Sequence, residues 1–244
     1  MPGISHTFNA NWSELFDELS SVRNMDASTV VRIKICCIMN QEEARVAVQA
    51  GADAVGLVGK MPSGPGPIGD DLIADIARSV PPPVATVLLT SEQSVDGVVA
   101  HHRRVHTSVI QLVDVITTGS LAELRDRLPG VKIIQVVHVT GSHDVEQAKA
   151  AAMFADALLL DSGRPDLAVK ELGGTGRTHN WEISRKIREL VDIPIFLAGG
   201  LYPGNVREAI ESVRPFGVDV CSGVRTGGKL DPEKVNAFCA AVFR

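Results

Sequence analysis

Ile193-Pro194-Ile195-Phe196-Leu197-Ala198-Gly199-Gly200, a helical pattern over Gly204 to Val213, and then Gly217-Val218-Asp219-Val220-Cys221-Ser222-Gly223 make one strand–helix–strand passage. Each apolar run stops at small residues. A buried strand that ends in Gly or Ser frees backbone N–H groups, and a helix start beyond it adds positive potential, which together suit a phosphate. The passage therefore suggests both a fold, repeated βα units, and a ligand, a small anion.

Working outward, the same alternation recurs from residue 31 onward. Strand patterns are expected at Val31 to Cys36, Ala54 to Val58, Val84 to Leu89, Ser108 to Leu112, Val131 to Val137, Ala157 to Asp161, Ile193 to Ala198 and Gly217 to Cys221. Helix patterns follow at Gln41 to Ala50, Asp70 to Ser79, Glu92 to Val105, Leu121 to Leu128, His143 to Ala152, Trp181 to Val191, Gly204 to Val213 and Asp231 to Phe243. Eight such units predict an α/β fold of the (β/α)8 TIM-barrel class, with 31–244 as the barrel and 1–30 as an N-terminal helical extension. A doubly wound open sheet is the rival, and no strand here is followed by its GxGxxG fingerprint. Trp12, Leu15, Phe16, Leu19 and Val22 give the extension one apolar face, which either covers the barrel bottom or meets a partner, so an oligomer through this extension is one expectation.

The chain has 244 residues, 45% of them hydrophobic, with 24 basic against 29 acidic side chains and a net charge of -5. That balance argues against nucleic-acid and anionic-membrane partners. No run of about 18 apolar residues and no signal-peptide core is present, so a cytoplasmic protein is expected. The cysteines, Cys36, Cys37, Cys221 and Cys239, lack zinc spacing, and a bond between adjacent Cys36 and Cys37 is strained, so free thiols are expected.

Alternation along Arg32-Ile33-Lys34-Ile35-Cys36 puts Lys34 and Cys36 on one side and the isoleucines on the other. Cys36 then faces inward at the strand's C-terminal mouth, where a thiol of lowered pKa serves as base or nucleophile; the bland alternative is an inert core cysteine. Cys37 is read as structural. Asp161 closes the run Leu158-Leu159-Leu160, where burial makes it a general acid and a hydrogen-bonded cap keeps it ionised. Asp219 either holds a sugar hydroxyl or pairs with Lys34 inside the barrel. Gly199, Gly200, Ser222 and Gly223 are the phosphate candidates, since barrels of this class often bind phosphate after strands seven and eight. The longest irregular stretch, Ser162 to Asn180, carries Gly173-Gly174-Thr175-Gly176 and lies on the catalytic rim, with Gly174 a substrate-contact candidate.

From Arg32 to Phe243 the chain resembles phosphoribosylanthranilate isomerases, on Lys34-Ile35-Cys36, Gly51-Ala52-Asp53-Ala54-Val55-Gly56, Leu158-Leu159-Leu160-Asp161-Ser162, the run from Gly173 to Trp181, Ala198-Gly199-Gly200-Leu201 with Asn205-Val206, and the run from Arg214 to Val224. The resemblance implies an Amadori rearrangement of a phosphorylated sugar amine, with Cys36 as general base, Asp161 as general acid, and no metal, nucleotide or redox cofactor. It also exposes departures. The family's Ser-x-Arg segment, whose arginine is expected to grip the anthranilate carboxylate, reads Lys60-Met61-Pro62-Ser63-Gly64-Pro65-Gly66-Pro67-Ile68 here. A glycine after the catalytic cysteine is replaced by Cys37, and Gln111-Leu112-Val113-Asp114 lacks the usual histidine and glycine. These leave three alternatives: an isomerase for another aglycone, a non-catalytic sugar-phosphate-binding barrel, and a metal-dependent epimerase, for which His138 is the one histidine near a strand end.

Overall fold

The computed structural model describes residues 30–243 except 165, 168, 175 and 177. The expected apolar face of residues 12–22, and with it any oligomer contact there, lies outside the described residues. Eight parallel strands close into a barrel in sequence order: β1 (Arg32–Ile35), β2 (Ala54–Val58), β3 (Ala85–Thr90), β4 (Val109–Leu112), β5 (Lys132–His138), β6 (Ala157–Asp161), β7 (Ile195–Leu197) and β8 (Gly217–Val220). The helices are α1 (Gln41–Gln49), α2 (Asp70–Ser79), α3 (Val95–Val105), α4 (Leu121–Arg127), α5 (Asp144–Ala152), α6 (Trp181–Leu190), α7 (Val206–Val213) and α8 (Pro232–Phe243). Among the described residues no helix is long and apolar enough to cross a membrane.

Strand parity sorts the side chains. Ile33, Ile35, Val55, Leu57, Leu158, Leu160, Val218 and Val220 point outward into the layer shared with the helices. Cys36, Ala54, Val58, Val87, Leu89, Leu159 and Ala198 fill the barrel itself. Strands buried on both faces read as continuous apolar runs, as parallel strands do.

The element ends differ from the periodic expectation where a side chain takes over. Helix α3 begins at Val95 rather than Glu92 because the Ser94 hydroxyl accepts from the Gly97 N–H at 3.1 Å, a standard N-cap. Helix α7 begins at Val206 rather than Gly204, since the Asn205 side chain is committed to the preceding turn. Strand β7 starts after Pro194, which carries no N–H for a ladder. A short hairpin of β9 (Arg225–Thr226) and β10 (Lys229–Leu230) follows β8 and is absent from the sequence reading.

Two aspartates anchor the barrel's lower rim in the same way. Asp53, just before β2, accepts from the Ile33 N–H at 2.8 Å, and Asp156, just before β6, accepts from the Ile133 N–H at 2.9 Å. Each also pairs with a basic residue at the start of the neighbouring strand, Arg32 and Lys132.

Inside the barrel Lys34 is fully buried, and its ammonium donates to Asp219 Oδ1 at 2.8 Å. The two residues are direct register partners across the β1–β8 seam. Burial alone would lower the Lys34 pKa, yet Asp219 and the Cys36 and Cys37 thiols outweigh it and hold the group above the ordinary lysine value. Of the two readings of Asp219, the Lys34 pair is therefore realised in the structure. Removing one partner strands a buried charge, which typically costs ~3–5 kcal/mol. Lys34→Met is expected to lower urea-unfolding stability by about that amount, and Lys34→Met with Asp219→Leu to recover most of it; equal losses in both variants would show that packing, not charge, dominates the seam.

Candidate active site

The C-terminal ends of the strands surround a cleft that opens to solvent. Its lining brings together Cys36, Asp161, Asp219, Gly174, Gly199, Gly200 and Ser222. The remaining phosphate candidate, Gly223, sits just behind, packed so closely on Leu201 and Tyr202 that a Cβ there would collide with the Leu201 carbonyl. Gly223 thus joins the turn after β8 to the turn after β7.

Cys36 points toward β2. A Cβ added at Gly56 would lie 2.8 Å from the Cys36 sulfur and 3.2 Å from Lys34 Nζ, so glycine at 56 makes the room that the thiol and ammonium share. Gly56 was visible in the sequence as part of a motif, but its use becomes clear only from this proximity. The Cys36 thiol is held below the ordinary value, first by hydrogen bonding from Cys37 and then by the Lys34 charge, against burial and Asp219. Cys37, with backbone φ of 62° where a glycine is easiest, is pushed well above it by its contacts with Cys221 and Cys36 and by burial. Cys37 therefore keeps its proton.

Asp161 ends β6 with its carboxyl inside the cleft, one oxygen accepting from the Ser162 N–H at 2.7 Å. Burial raises its pKa above the ordinary carboxylate value despite that hydrogen bond and the nearby His138. Both halves of the sequence expectation are present, the cap and the burial, and burial prevails. His138 Nε2 lies 3.0 Å from the Val113 carbonyl, and its buried Nδ1 has no hydrogen-bond partner among the described residues.

The phosphate end is built from two tight turns. Gly199 and Gly200 have φ of 83° and 63°, and Asn205 fixes their turn by donating to the Gly200 carbonyl at 3.0 Å and accepting from the Tyr202 N–H at 2.8 Å. A Cβ at Gly199 would approach His179 Nδ1 and Ser162 Oγ to 3.0 Å each. His179 is kept neutral by burial, its pKa lowered to about 4, and its Nε2 lies 2.6 Å from Ser184 Oγ. Among the described residues, the N–H groups of Gly199, Gly200, Ser222 and Gly223 donate to no main-chain carbonyl. Such free donors are what an anion needs.

At the opposite end the lining is Met61, Ser63, Gly64, Pro65, Leu89, Gln111, Val113 and Leu172. The loop after β2 is held there by the loop after β6: Ser63 Oγ donates to the Lys170 carbonyl at 2.6 Å, and Gly174, with φ of 66°, lies against Pro65. Lys60 is exposed and does not reach the cleft, while the Lys170 ammonium pairs with Asp114 at 2.6 Å. Among the described lining residues this end carries no cation.

The sequence reading passed over Glu43 and Arg225. Arg225, on β9, donates to the Cys37 carbonyl and pairs with Glu43 Oε2 at 2.9 Å, while Glu43 accepts from the Met39 and Leu230 N–H groups at 3.0 and 3.1 Å. No local spacing signals a pair that lies 182 residues apart.

The family model for N-(5'-phosphoribosyl)anthranilate (PRA) isomerase matches residues 33–241. The N-(5'-phosphoribosyl)anthranilate isomerase of Methanocella arvoryzae is 37% identical over 195 residues, covering 80% of this chain and 89% of the relative. The N-(5'-phosphoribosyl)anthranilate isomerase 2 of Methanosarcina mazei is 39% identical over 210 residues, covering 85% and 92%. The crystal structure of phosphoribosyl anthranilate isomerase from Thermotoga maritima superposes with a TM-score of 0.72 at 33% identity, covering 87% of this chain and 98% of that one. A phosphoribosyl anthranilate isomerase in complex with reduced 1-(o-carboxyphenylamino)-1-deoxyribulose 5-phosphate matches with a TM-score of 0.70 at 31% identity, over 87% and 98%.

Burial would raise the Glu43 pKa, but Arg225 and the two N–H donors hold it below the ordinary 4.5. A depressed carboxylate contributes stability above its unfolded value and loses it as pH falls through the folded one. Glu43→Gln is expected to cost ~1.5–3 kcal/mol at pH 7, a difference from wild type that shrinks below about pH 4.5 in urea unfolding curves and that a constant offset at all pH values would refute.

Proposed function

The chain belongs to the N-(5'-phosphoribosyl)anthranilate isomerase family, and on that premise we propose that it converts N-(5'-phosphoribosyl)anthranilate to the corresponding 1-deoxyribulose 5-phosphate, the aldose–ketose isomerisation of tryptophan biosynthesis. The observation that carries the reading is one cleft holding a thiol of lowered pKa and a carboxyl of raised pKa, with free N–H donors at one end.

Asp161, protonated because it is buried, gives its proton to the ribose ring oxygen. The C1–O bond breaks and the nitrogen lone pair forms the C1–N double bond of an iminium. Cys36, as thiolate, then removes the proton from C2, and the electrons pass through C1 to nitrogen to give an enolamine. Reprotonation at C1 and loss of the enol proton yield the ketose, so the reaction is redox-neutral within the substrate. The ribose phosphate is held by the turns of Gly199, Gly200, Ser222 and Gly223. Gly174, on the cleft wall beside Pro65, contacts the sugar. Asp219 serves the sugar hydroxyls through the oxygen not taken by Lys34.

A second reading, the same rearrangement on a neutral aglycone, is favoured by the far end of the cleft, whose described lining carries no cation, where a charge-assisted grip on a carboxylate would ordinarily contribute ~1.5–3 kcal/mol. Parallel assays with the anthranilate compound and its analogue lacking the carboxylate separate the two. Turnover of the neutral analogue alone favours the second reading, and binding of phosphorylated sugars without turnover of either favours a non-catalytic barrel.

Each proton-transfer group typically contributes roughly 100- to 10,000-fold in rate. Cys36→Ala and Asp161→Asn are expected to lower kcat by factors in that range in the fluorescence-decay assay, and kcat near wild type in both would refute the assigned roles. In the wild type kcat/KM should fall at low pH as Cys36 is protonated and at high pH as Asp161 ionises. Asp161→Asn should lose the alkaline limb. Gly199→Ala, which crowds Ser162 and His179, should raise KM with little change in kcat; a kcat loss at unchanged KM would place Gly199 outside phosphate binding.

A further inference from the structure

Three of the four cysteines meet where the first and last barrel strands end. Cys36 and Cys37 follow β1, Cys221 follows β8, and the Cys36 N–H donates to the Val220 carbonyl at 2.8 Å across the seam. The sulfurs of Cys37 and Cys221 are in direct contact at 2.6 Å. Both residues lie just past the ends of the paired strands β1 and β8, whose register ends at Ile35 opposite Val220, and this is what brings the two sulfurs together. Neither of the other two thiols is as well placed to bridge. The Cys36 sulfur faces Gly56 and Lys34, a bond between adjacent Cys36 and Cys37 is strained, and Cys239 lies on α8 in the outer layer.

We infer that Cys37 and Cys221 are a reversible dithiol–disulfide site at the mouth of the cleft, oxidised by a low-molecular-weight disulfide such as oxidised glutathione. Cys221, half-buried on the cleft wall, is the sulfur a solute reaches first; Cys37 is buried beneath Pro65 and Gly66. The Cys221 thiolate attacks the small disulfide, one S–S bond breaks as another forms, and one small thiolate departs. Cys37, deprotonated, attacks the Cys221 sulfur of the mixed disulfide and expels the second. The two protons released by the protein end on the two small thiols, so the protein loses two electrons and the oxidant gains them.

The consequence for turnover rests on the isomerase reading. In the reduced state the Cys37 thiol donates to the Pro65 carbonyl at 3.7 Å, tying down the loop that roofs the far end of the cleft. A disulfide has no S–H, so this tie is lost on oxidation and the loop over the cleft is released.

The test is incubation of the full-length protein with oxidised glutathione, followed by thiol titration and peptide mapping by mass spectrometry. Titratable thiols are expected to fall from four to two per chain, with Cys37 and Cys221 peptides linked and no glutathione retained. Cys221→Ala should form no such link. In the wild type kcat/KM on phosphoribosylanthranilate should fall about tenfold or more and return with dithiothreitol. A count that stays at four, a lasting mixed disulfide at Cys221, or a Cys36–Cys37 link would overturn the site, and a Cys37–Cys221 link that changes kcat/KM less than about twofold would overturn its coupling to catalysis. Reduced protein inactive on this substrate would count against the isomerase reading, while the mapping still decides the pairing.

Discussion

A lysine and an aspartate sealed in the barrel at 2.8 Å hold the rest of the site in place. Taking two charges out of water is costly, and only a close, hydrogen-bonded partner offsets it. Because Lys34 and Asp219 are register partners, a slip of β1 against β8 would leave both charges buried and unpaired. The same register sets Cys36 beside Val220 and brings Cys37 to Cys221. The pair therefore fixes the seam, and the seam fixes where the thiols stand.

What surrounds the pair tunes it for proton transfer. Lys34 lends positive charge to Cys36, and Asp161, nearly opposite on β6, is reached more by burial than by any cation. Two ionisable groups in one cleft are thus pushed in opposite directions, one toward the charged form and the other toward the neutral form. That is the arrangement expected of an acid and a base working on one substrate.

Much of this was legible in the chain. Strict alternation gave the facing of Lys34 and Cys36, and an apolar run ending in a carboxylate marked Asp161, because parity and burial are local properties. The turns at Gly199 and Ser222 were likewise visible as small residues after strands. Long-range partners were not. Nothing near Glu43 announces Arg225, and nothing in Gly56 announces that it makes space for a sulfur just past the preceding strand. Helix starts shifted by two or three residues at Ser94 and Asn205, where a side chain's bond to the backbone outranked hydrophobic period.

The seam has a further meaning for how such a chain is made. Lys34 meets its carboxylate 185 residues later, and Arg225 returns across a similar span to clasp Glu43 and the Cys37 carbonyl. During synthesis from the N-terminus, β1 leaves the ribosome long before β8, so its lysine has no buried partner and its two cysteines stay outside a closed barrel. The β1–β8 seam can close only after β8 is made, so the contacts that set Lys34 against Asp219 and Cys37 against Cys221 are available only then.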